Sequence, residues 1–402
     1  MCHYANEIVD VFIEEITFRN FRNYELLELR FSPNMNIIIG GNAQGKTNIL
    51  EGIYFLSTAK SHRTSIDNEL IQNGKEWFYL KGCVLTKDSS IVVEIANSNV
   101  EKKKIKINGK VQDKISSVIG KINTVMFSPE DLALVKGTPS ERRRFLDILI
   151  SRIDRVHLYN IQEYNSALKQ RNELLRKIRE KRKLKQDFAP YSDTLDSWNS
   201  LLVRYGTEIV QKRVSIIPEL SELVKEKHGQ LTLSKENIKL EYQSQLTKPN
   251  NVGDQIKDIF QKSLDKNVDI DIRFGTTTIG PHRDDLIITV DDMDIRKFGS
   301  QGQQRTAVLS LKLATIDLMN QRLGEYPIIL LDDVASELDE KRVSLLFDLI
   351  NKIPAQTFLT TTDFHNSDMK IWLSDRKKSD LNIFIVENGC VRKENAIYKD
   401  NT

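Results

Sequence analysis

A chain of 402 residues with 40% hydrophobic and 29% charged positions has the make-up of a folded, soluble protein and the length for two domains. No stretch approaches the ~18 apolar residues that a membrane span requires, and the opening Met1-Cys2-His3-Tyr4-Ala5-Asn6-Glu7 lacks the basic and apolar regions of a secretion signal. A net charge of +3 is too small to announce a nucleic-acid partner, so the distribution of charge matters more than its sum. Cys2, Cys83 and Cys390 stand alone, which points to a reducing cytoplasm and away from a zinc site or disulfide framework.

Residues 10–40 open as a β-meander. Val11 to Phe18 and Leu26 to Phe31 are the strands, with a polar turn from Arg19 to Tyr24. The apolar run Met35 to Ile39 then leads into Gly40-Gly41-Asn42-Ala43-Gln44-Gly45-Lys46-Thr47, and a helix follows from about Thr47. Strand, glycine loop, Lys-Thr and helix in that order make a P-loop. The spacing alone would arise by chance in on the order of 1% of chains this long. The glycines let successive amide N–H groups close around a phosphate, at the positive end of the helix. Lys46 would reach the β- and γ-phosphates, and the Thr47 hydroxyl would ligate Mg²⁺.

The basic loop Ala59-Lys60-Ser61-His62-Arg63-Thr64 is either a solvated connector or a contact to nucleotide or DNA. More strands follow at Trp77–Leu80 and Ser90–Ile95, then a hairpin over 105–111 whose Asn108-Gly109 is a tight-turn signal. Phe127-Ser128-Pro129-Glu130-Asp131 punctuates the chain. Helical periodicity runs from Glu141 to about Lys185 and from about Asp193 to Ile216, with Asp187-Phe188-Ala189-Pro190 ending the first segment. The two helices form an antiparallel arm inserted into the β-containing lobe. Lys262 to Ile272 returns toward strand-rich sequence, and Asp285 to Val290 is a strand.

Far downstream, Tyr326-Pro327-Ile328-Ile329-Leu330-Leu331-Asp332-Asp333 is an apolar strand ending in two carboxylates. A buried parallel strand of this kind delivers a carboxylate to the mouth of a sheet. Asp332 would hold Mg²⁺ through water, and Asp333 would orient or deprotonate the attacking water. Ser300 and Gln303 have the spacing of a capping box at the start of a helix from Arg305 to about Asn320. With Gly302 between them, that helix start offers a second anion site.

Together these segments resemble the ABC-type ATPases. The resemblance implies an α/β fold: an ABC-type P-loop ATPase head with an antiparallel β-subdomain and an inserted helical arm. The head would comprise 1–130 and 270–402, and the arm 131–269. In that class the signature helix of one subunit faces the γ-phosphate held by another, so ATP joins a head-to-tail homodimer and hydrolysis releases it. Lys46, Asp333 and Ser300 would then share the chemistry. Gly40, Gly41, Asn42, Ala43, Gln44, Gly45, Lys46, Thr47, Ser300, Gly302 and Gln303 would hold ATP, and Thr47 and Asp332 the Mg²⁺. This sequence departs from the common LSGGQ pattern at Gly299 and Gln301, and it has Asp333 where most relatives have Glu. Thr361, Thr362, Asp363 and His365 are alternatives for the switch-loop histidine, and Glu130 or Asp131 for the Q-loop glutamine.

Phe18-Arg19-Asn20-Phe21-Arg22-Asn23-Tyr24, the P-loop, Phe127 to Leu132, Gly280-Pro281-His282-Arg283-Asp284-Asp285-Leu286, Ser300-Gln301-Gly302-Gln303-Gln304-Arg305 and Leu331-Asp332-Asp333-Val334 stand in the order of the bacterial RecF family. The resemblance covers the chain from Val11 onward. It implies a cytoplasmic, slow, DNA-stimulated ATPase of recombinational repair. With RecO and RecR as partners, such a protein promotes RecA loading on gapped DNA and SOS induction.

The residues argue for DNA separately. Residues 169–185 carry nine Lys or Arg against two Glu. Lys169, Arg171, Arg176, Lys177, Arg179, Lys181, Arg182 and Lys183 could neutralise phosphates of single-stranded DNA, duplex or their junction without reading bases. Arg142-Arg143-Arg144 and Lys102-Lys103-Lys104 are further basic clusters. A metabolic kinase or small GTPase would account for the P-loop but not for the Ser300 helix. A transporter ATPase would need a membrane partner, and an SMC-like bridge would need far longer arms.

Overall fold

The computed structural model describes residues 9–87, 89–185, 191–247, 253–362 and 381–394. The expected helix stop at Asp187–Pro190 lies outside them, as do Asp363 and His365. Two compact units emerge: one is built on residues up to Asp131 together with 229–234 and the chain from Val308, the other on 132–228 and 235–307.

The first unit opens with the hairpin β1 (Val11–Phe21) and β2 (Tyr24–Arg30), then passes through β3 (Met35–Ile39) into α1 (Lys46–Thr58). It returns as β4 (Trp77–Thr86), β5 (Ser90–Ser98), β6 (Lys104–Ile107) and β7 (Lys110–Val111), and then β8 (Thr124–Phe127). The second unit contributes α2 (Ala133–Lys136), α3 (Pro139–Ile153), α4 (Arg155–Lys183), α5 (Ser192–Thr232), β9 (Ile238–Gln243), α6 (Gly253–Lys266), α7 (Val268–Phe274), β10 (Asp285–Val290), β11 (Met293–Asp294) and α8 (Ile295–Phe298). After α9 (Gln301–Leu323) come β12 (Ile328–Asp332), α10 (Glu340–Asn351), β13 (Thr357–Thr361), β14 (Leu381–Glu387) and β15 (Cys390–Glu394).

The first unit holds two six-stranded sheets. One is antiparallel in the order β2-β1-β4-β5-β6-β7, and the other runs β15-β14-β3-β13-β12-β8 with every pairing parallel except the edge β14–β15. The sequence difference between them is physical. Strands β12, β13 and β8 are buried at every position, with apolar runs in β12 and most of β8 and threonines beside Phe358 and Leu359 in β13, whereas β4 alternates between buried and half-buried residues. Ile49, Leu50, Ile53, Phe55 and Leu56 of α1 join one core with Phe18, Phe78, Leu80, Ile38, Leu330 and Phe358. Gly52 of α1 lies against the Phe18 ring, where any Cβ would collide.

In the second unit two expectations are corrected. Residues from Lys262 to Ile272 are helical in α6 and α7, not strand-like. Ile256, Phe260 and Leu264 are buried at four-residue steps, a single helix face, while the β-branched Val268 and Ile272 are held in α7 by packing with Leu174, Leu175 and Ile178. The helix expected to end near Ile216 continues to Thr232 through Pro218. A mid-helix proline costs ~3 kcal/mol, and the buried Ile216, Ile217, Leu220 and Val224 around it offset that loss.

The Gly280–Leu286 segment is the polar centre of this unit. Asp285 accepts a bidentate pair from Arg142 at 2.8 and 2.8 Å, Asp284 accepts from Tyr242 at 2.5 Å, and the Pro281 carbonyl accepts from Arg213 at 2.8 Å. His282 lies between the Tyr164 hydroxyl at 2.7 Å and the Thr277 carbonyl at 3.1 Å. A carbonyl can only accept, so Nε2 carries the proton and Nδ1 accepts from Tyr164.

Burial lowers the pKa of His282 to about 4. Between roughly pH 6.5 and 4 the unfolded chain therefore binds a proton that the folded chain refuses, and stability falls as pH falls through that window. Urea unfolding at pH 7, 5.5 and 4.5 should show this loss, and His282→Gln should flatten it.

Candidate nucleotide-binding site

The P-loop begins where β3 ends. Gly45 caps α1 in the left-handed region at φ 116°, and a Cβ there would collide with the Asn23 amide and the Tyr24 hydroxyl, so only glycine fits. Lys46 is almost wholly buried, and its Nζ donates to the carbonyls of Gly40 at 2.7 Å and Gly41 at 2.8 Å. Burial lowers the Lys46 pKa against the opposing pull of the Asp333 and Asp332 carboxylates.

Asp332 stands at the end of β12 and is nearly buried. Its Oδ1 accepts from Thr47 Oγ1 at 2.9 Å and from Thr360 Oγ1, on β13, at 2.7 Å. Burial raises the Asp332 pKa even though both hydroxyl bonds favour the carboxylate. An anionic and a neutral oxygen at this separation are a hard donor pair suited to Mg²⁺ shared with phosphates and water. Asp333 follows in the left-handed region at φ 49°, and its N–H donates to Thr360 Oγ1 at 3.0 Å. Non-glycine residues seldom adopt that backbone, and they concentrate where a side chain has to be aimed.

The first unit thus brings together Gly40, Gly41, Asn42, Ala43, Gln44, Gly45, Lys46, Thr47, Asp332 and Asp333. Sequence reading missed Thr360, whose role depends on β13 lying between β3 and β12. Of the two Q-loop alternatives, Asp131 accepts from Ser128 N at 2.8 Å and Lys312 Nζ at 2.6 Å, while Glu130 is exposed and 3.9 Å from Arg63. Thr361 is buried in β13.

In the second unit the capping box is complete. Gln303 N donates to Ser300 Oγ at 3.2 Å, and Ser300 N donates to Gln303 Oε1 at 2.9 Å. Gly302 sits in the first turn of α9, so this helix presents a capped, glycine-containing N-terminus.

The family described as RecF/RecN/SMC N terminal domain matches residues 12–376. The DNA replication and repair protein RecF of Latilactobacillus sakei subsp. sakei (strain 23K) is 41% identical over 389 residues, spanning 96% of this chain and 100% of that one. The RecF of Bacillus thuringiensis (strain Al Hakam) is 44% identical over 353 residues, 88% of this chain and 92% of that one. The chain belongs to the RecF family.

A solved structure of the recombination mediator protein RecF with ATP, in the RecFOR pathway, is 33% identical with a TM-score of 0.86 over 98% of this chain and 100% of that one. Its counterpart with ATPrS gives 0.84 over 97% and 100%. The Smc head domain from Pyrococcus furiosus, at 17% identity and a TM-score of 0.56 over 96% of each chain, shares the fold. The RecF-family fold is therefore the expected ABC-type ATPase head, with antiparallel sheet and helical arm. Among the described residues no helix is long and apolar enough to cross a membrane.

The basic residues of α4 divide. Lys169, Arg176, Lys177, Arg182 and Lys183 are exposed. Arg182 pairs with Asp269 at 3.0 Å, the half-buried Arg179 donates to the Phe274 carbonyl at 3.1 Å, and Lys181 lies 5.4 Å from the Tyr191 ring centroid. Arg171 is a correction: it has no exposed surface and is bound to Asp271 at 2.7 Å, Thr277 at 2.7 Å and Asn199 at 2.7 Å, so it cannot meet DNA. The Arg142–Arg144 and Lys102–Lys104 clusters are also diminished. Arg142 is buried on Asp285, Arg143 donates to the Asp284 carbonyl, and Lys103 is held by Asp67 and the Ala59 carbonyl.

Removing one member of a buried ion pair leaves the other charge uncompensated, at a cost of about 3–5 kcal/mol. Arg171→Ala should lower the unfolding free energy in urea by that amount. Arg176→Ala and Lys177→Ala, on the exposed side of the same helix, should stay within about 0.5 kcal/mol of wild type.

Proposed function

We propose that this protein is an ATP-driven DNA clamp of recombinational repair and replication. Two copies close head-to-tail on ATP, bind DNA at gaps or junctions, and open again on slow, DNA-stimulated hydrolysis. The observation that carries the reading is the meeting of Lys46, Thr47, Asp332 and Asp333 at the parallel strand ends. The complete capping box at Ser300 adds a second anion-seeking helix end. The RecF structures described with ATP and ATPrS support ATP as the nucleotide.

In this reading Lys46 exchanges the carbonyls of Gly40 and Gly41 for phosphate oxygens, and the P-loop amides surround the same group. Thr47 and Asp332 would hold Mg²⁺, which when bound neutralises phosphate charge. Asp333 orients the attacking water and accepts its proton, and its short side chain suits slow turnover. Ser300, Gly302 and Gln303 of one copy approach the γ-phosphate held by the other, so neither copy completes a site alone. The exposed Lys169, Arg176, Lys177, Arg182 and Lys183 contact DNA backbone. RecO and RecR are the partners through which the clamp promotes RecA loading and SOS induction, in the cytoplasm.

Light scattering should show wild type doubling in mass with ATP and Mg²⁺, with duplex affinity rising in parallel. Lys46→Arg and Ser300→Arg should remain single and lose that response. A wild-type protein that stays monomeric at saturating ATP, with DNA affinity indifferent to nucleotide, would falsify the clamp. Asp333→Asn should still pair but hydrolyse at least tenfold more slowly, and a wild-type rate there would remove its assigned role. DNA affinity should fall linearly on a log–log salt plot, and replacing Arg176 and Lys177 together should reduce the slope by about 2.

A further inference from the structure

Glu51 is a carboxylate with no exposed surface, set one turn into the helix that starts at the P-loop. Burying an ion costs several kcal/mol unless its partners are well placed. Here they are. Arg22 grips it with two parallel bonds, Nε at 2.8 Å and Nη2 at 2.7 Å, and Ser61 Oγ donates at 2.5 Å. Such a fork fixes orientation as well as distance.

Arg22 sits in the β1–β2 turn at φ 55°, a conformation that non-glycine residues rarely take, and its next two neighbours reach the P-loop backbone. Asn23 Nδ2 donates to the Gln44 carbonyl at 3.0 Å, and the Tyr24 hydroxyl donates to the Gly45 carbonyl at 3.1 Å. Asn48 Nδ2 in turn holds Asn23 Oδ1 at 2.8 Å. In a planar trans peptide the carbonyl of one residue and the N–H of the next point in opposite directions. Pinning the Gln44 and Gly45 carbonyls to the turn therefore fixes where the Gly45 and Lys46 amides point. The Gln44 side chain is itself held by the Asn388 N–H in the β14–β15 turn.

We propose that Glu51, through Arg22, Asn23 and Tyr24, is a positioning residue that presets the P-loop amides for a nucleotide phosphate. The inference rests on the nucleotide reading of this site. It explains why the helix carries a buried acid, and why the acid faces a hairpin turn rather than the ligand.

The test is binding of a fluorescent ATP analogue, turnover against ATP concentration, and thermal unfolding, for Glu51→Gln, Asn23→Ala, Tyr24→Phe and the double variant Glu51→Gln/Asn23→Ala. Tyr24→Phe and Asn23→Ala each remove one hydrogen bond to a P-loop carbonyl, Asn23→Ala also losing the bond from Asn48, and each should weaken nucleotide binding about fivefold or more. Glu51→Gln should weaken it about tenfold or more. The losses should appear more in the ATP concentration for half-maximal turnover than in the rate at saturation. Asn23→Ala should add less than twofold on top of Glu51→Gln, because both act through one relay. Additive effects, or full affinity in Tyr24→Phe and Asn23→Ala, would overturn the proposal, and those two variants decide it even if Glu51→Gln does not fold. Loss of melting temperature in Glu51→Gln with unchanged affinity would show a merely structural acid. A wild-type protein that binds no ATP would sink the nucleotide reading, and this inference with it.

Discussion

The site depends on one carboxylate accepting two hydroxyls. Asp332 joins Thr47, 285 residues earlier, to Thr360 on the intervening strand, so the start of α1 and the ends of β12 and β13 are held at one level. That contact requires register as much as chemistry. Asp332 pairs with Thr360 across β12–β13, and Thr361 with Ile39 across β13–β3. Any slip would carry the acid away from the P-loop or turn it to the other face of the sheet. These strands are buried along their length, so the apolar Ile328 to Leu331 of β12 and Phe358 and Leu359 of β13 resist any such slip.

Charge is used in two distinct ways. The second unit places arginines inside. Arg171 on Asp271, Arg142 on Asp285 and Arg213 on Asp147 each replace a contact that hydrophobic packing could have made. Replacing such pairs with hydrocarbon is often neutral for stability, so their contribution here is geometric: they hold α3, α4, α5 and β10 at fixed positions. Lys169, Arg176, Lys177, Arg182 and Lys183 of α4 are exposed, where charge costs little to keep solvated. A basic run in sequence is thus partly an internal scaffold and partly a surface.

How much could be read beforehand follows from the same physics. The P-loop, the apolar strand before Asp332 and the Ser300–Gln303 box depend on local spacing, and each took the expected backbone. The Asn108-Gly109 turn did so for the same reason, with both residues at positive φ. What local spacing cannot show is which side of a helix faces inward. Arg171 and Arg176 look alike in a string of letters, and only the Asp271 behind α4 separates them. Thr360 and Glu51 escaped notice because neither belongs to a motif; one depends on strand order and the other on a turn some thirty residues away. Residues 262–272 misled because the β-branched Val268 and Ile272 sit in a helix held by packing against Leu174, Leu175 and Ile178 of α4.

The position of β3 in its sheet has a consequence for synthesis. Its two neighbours, β13 and β14, both come from the last stretch of the chain. A ribosome adding about 5–20 residues per second needs roughly 15–60 seconds to cover the intervening three hundred or so residues. Throughout that time the strand that leads into the P-loop has no partner on either edge. The sheet that carries the P-loop can therefore close only after the last stretch of the chain has been made, whatever folds before it.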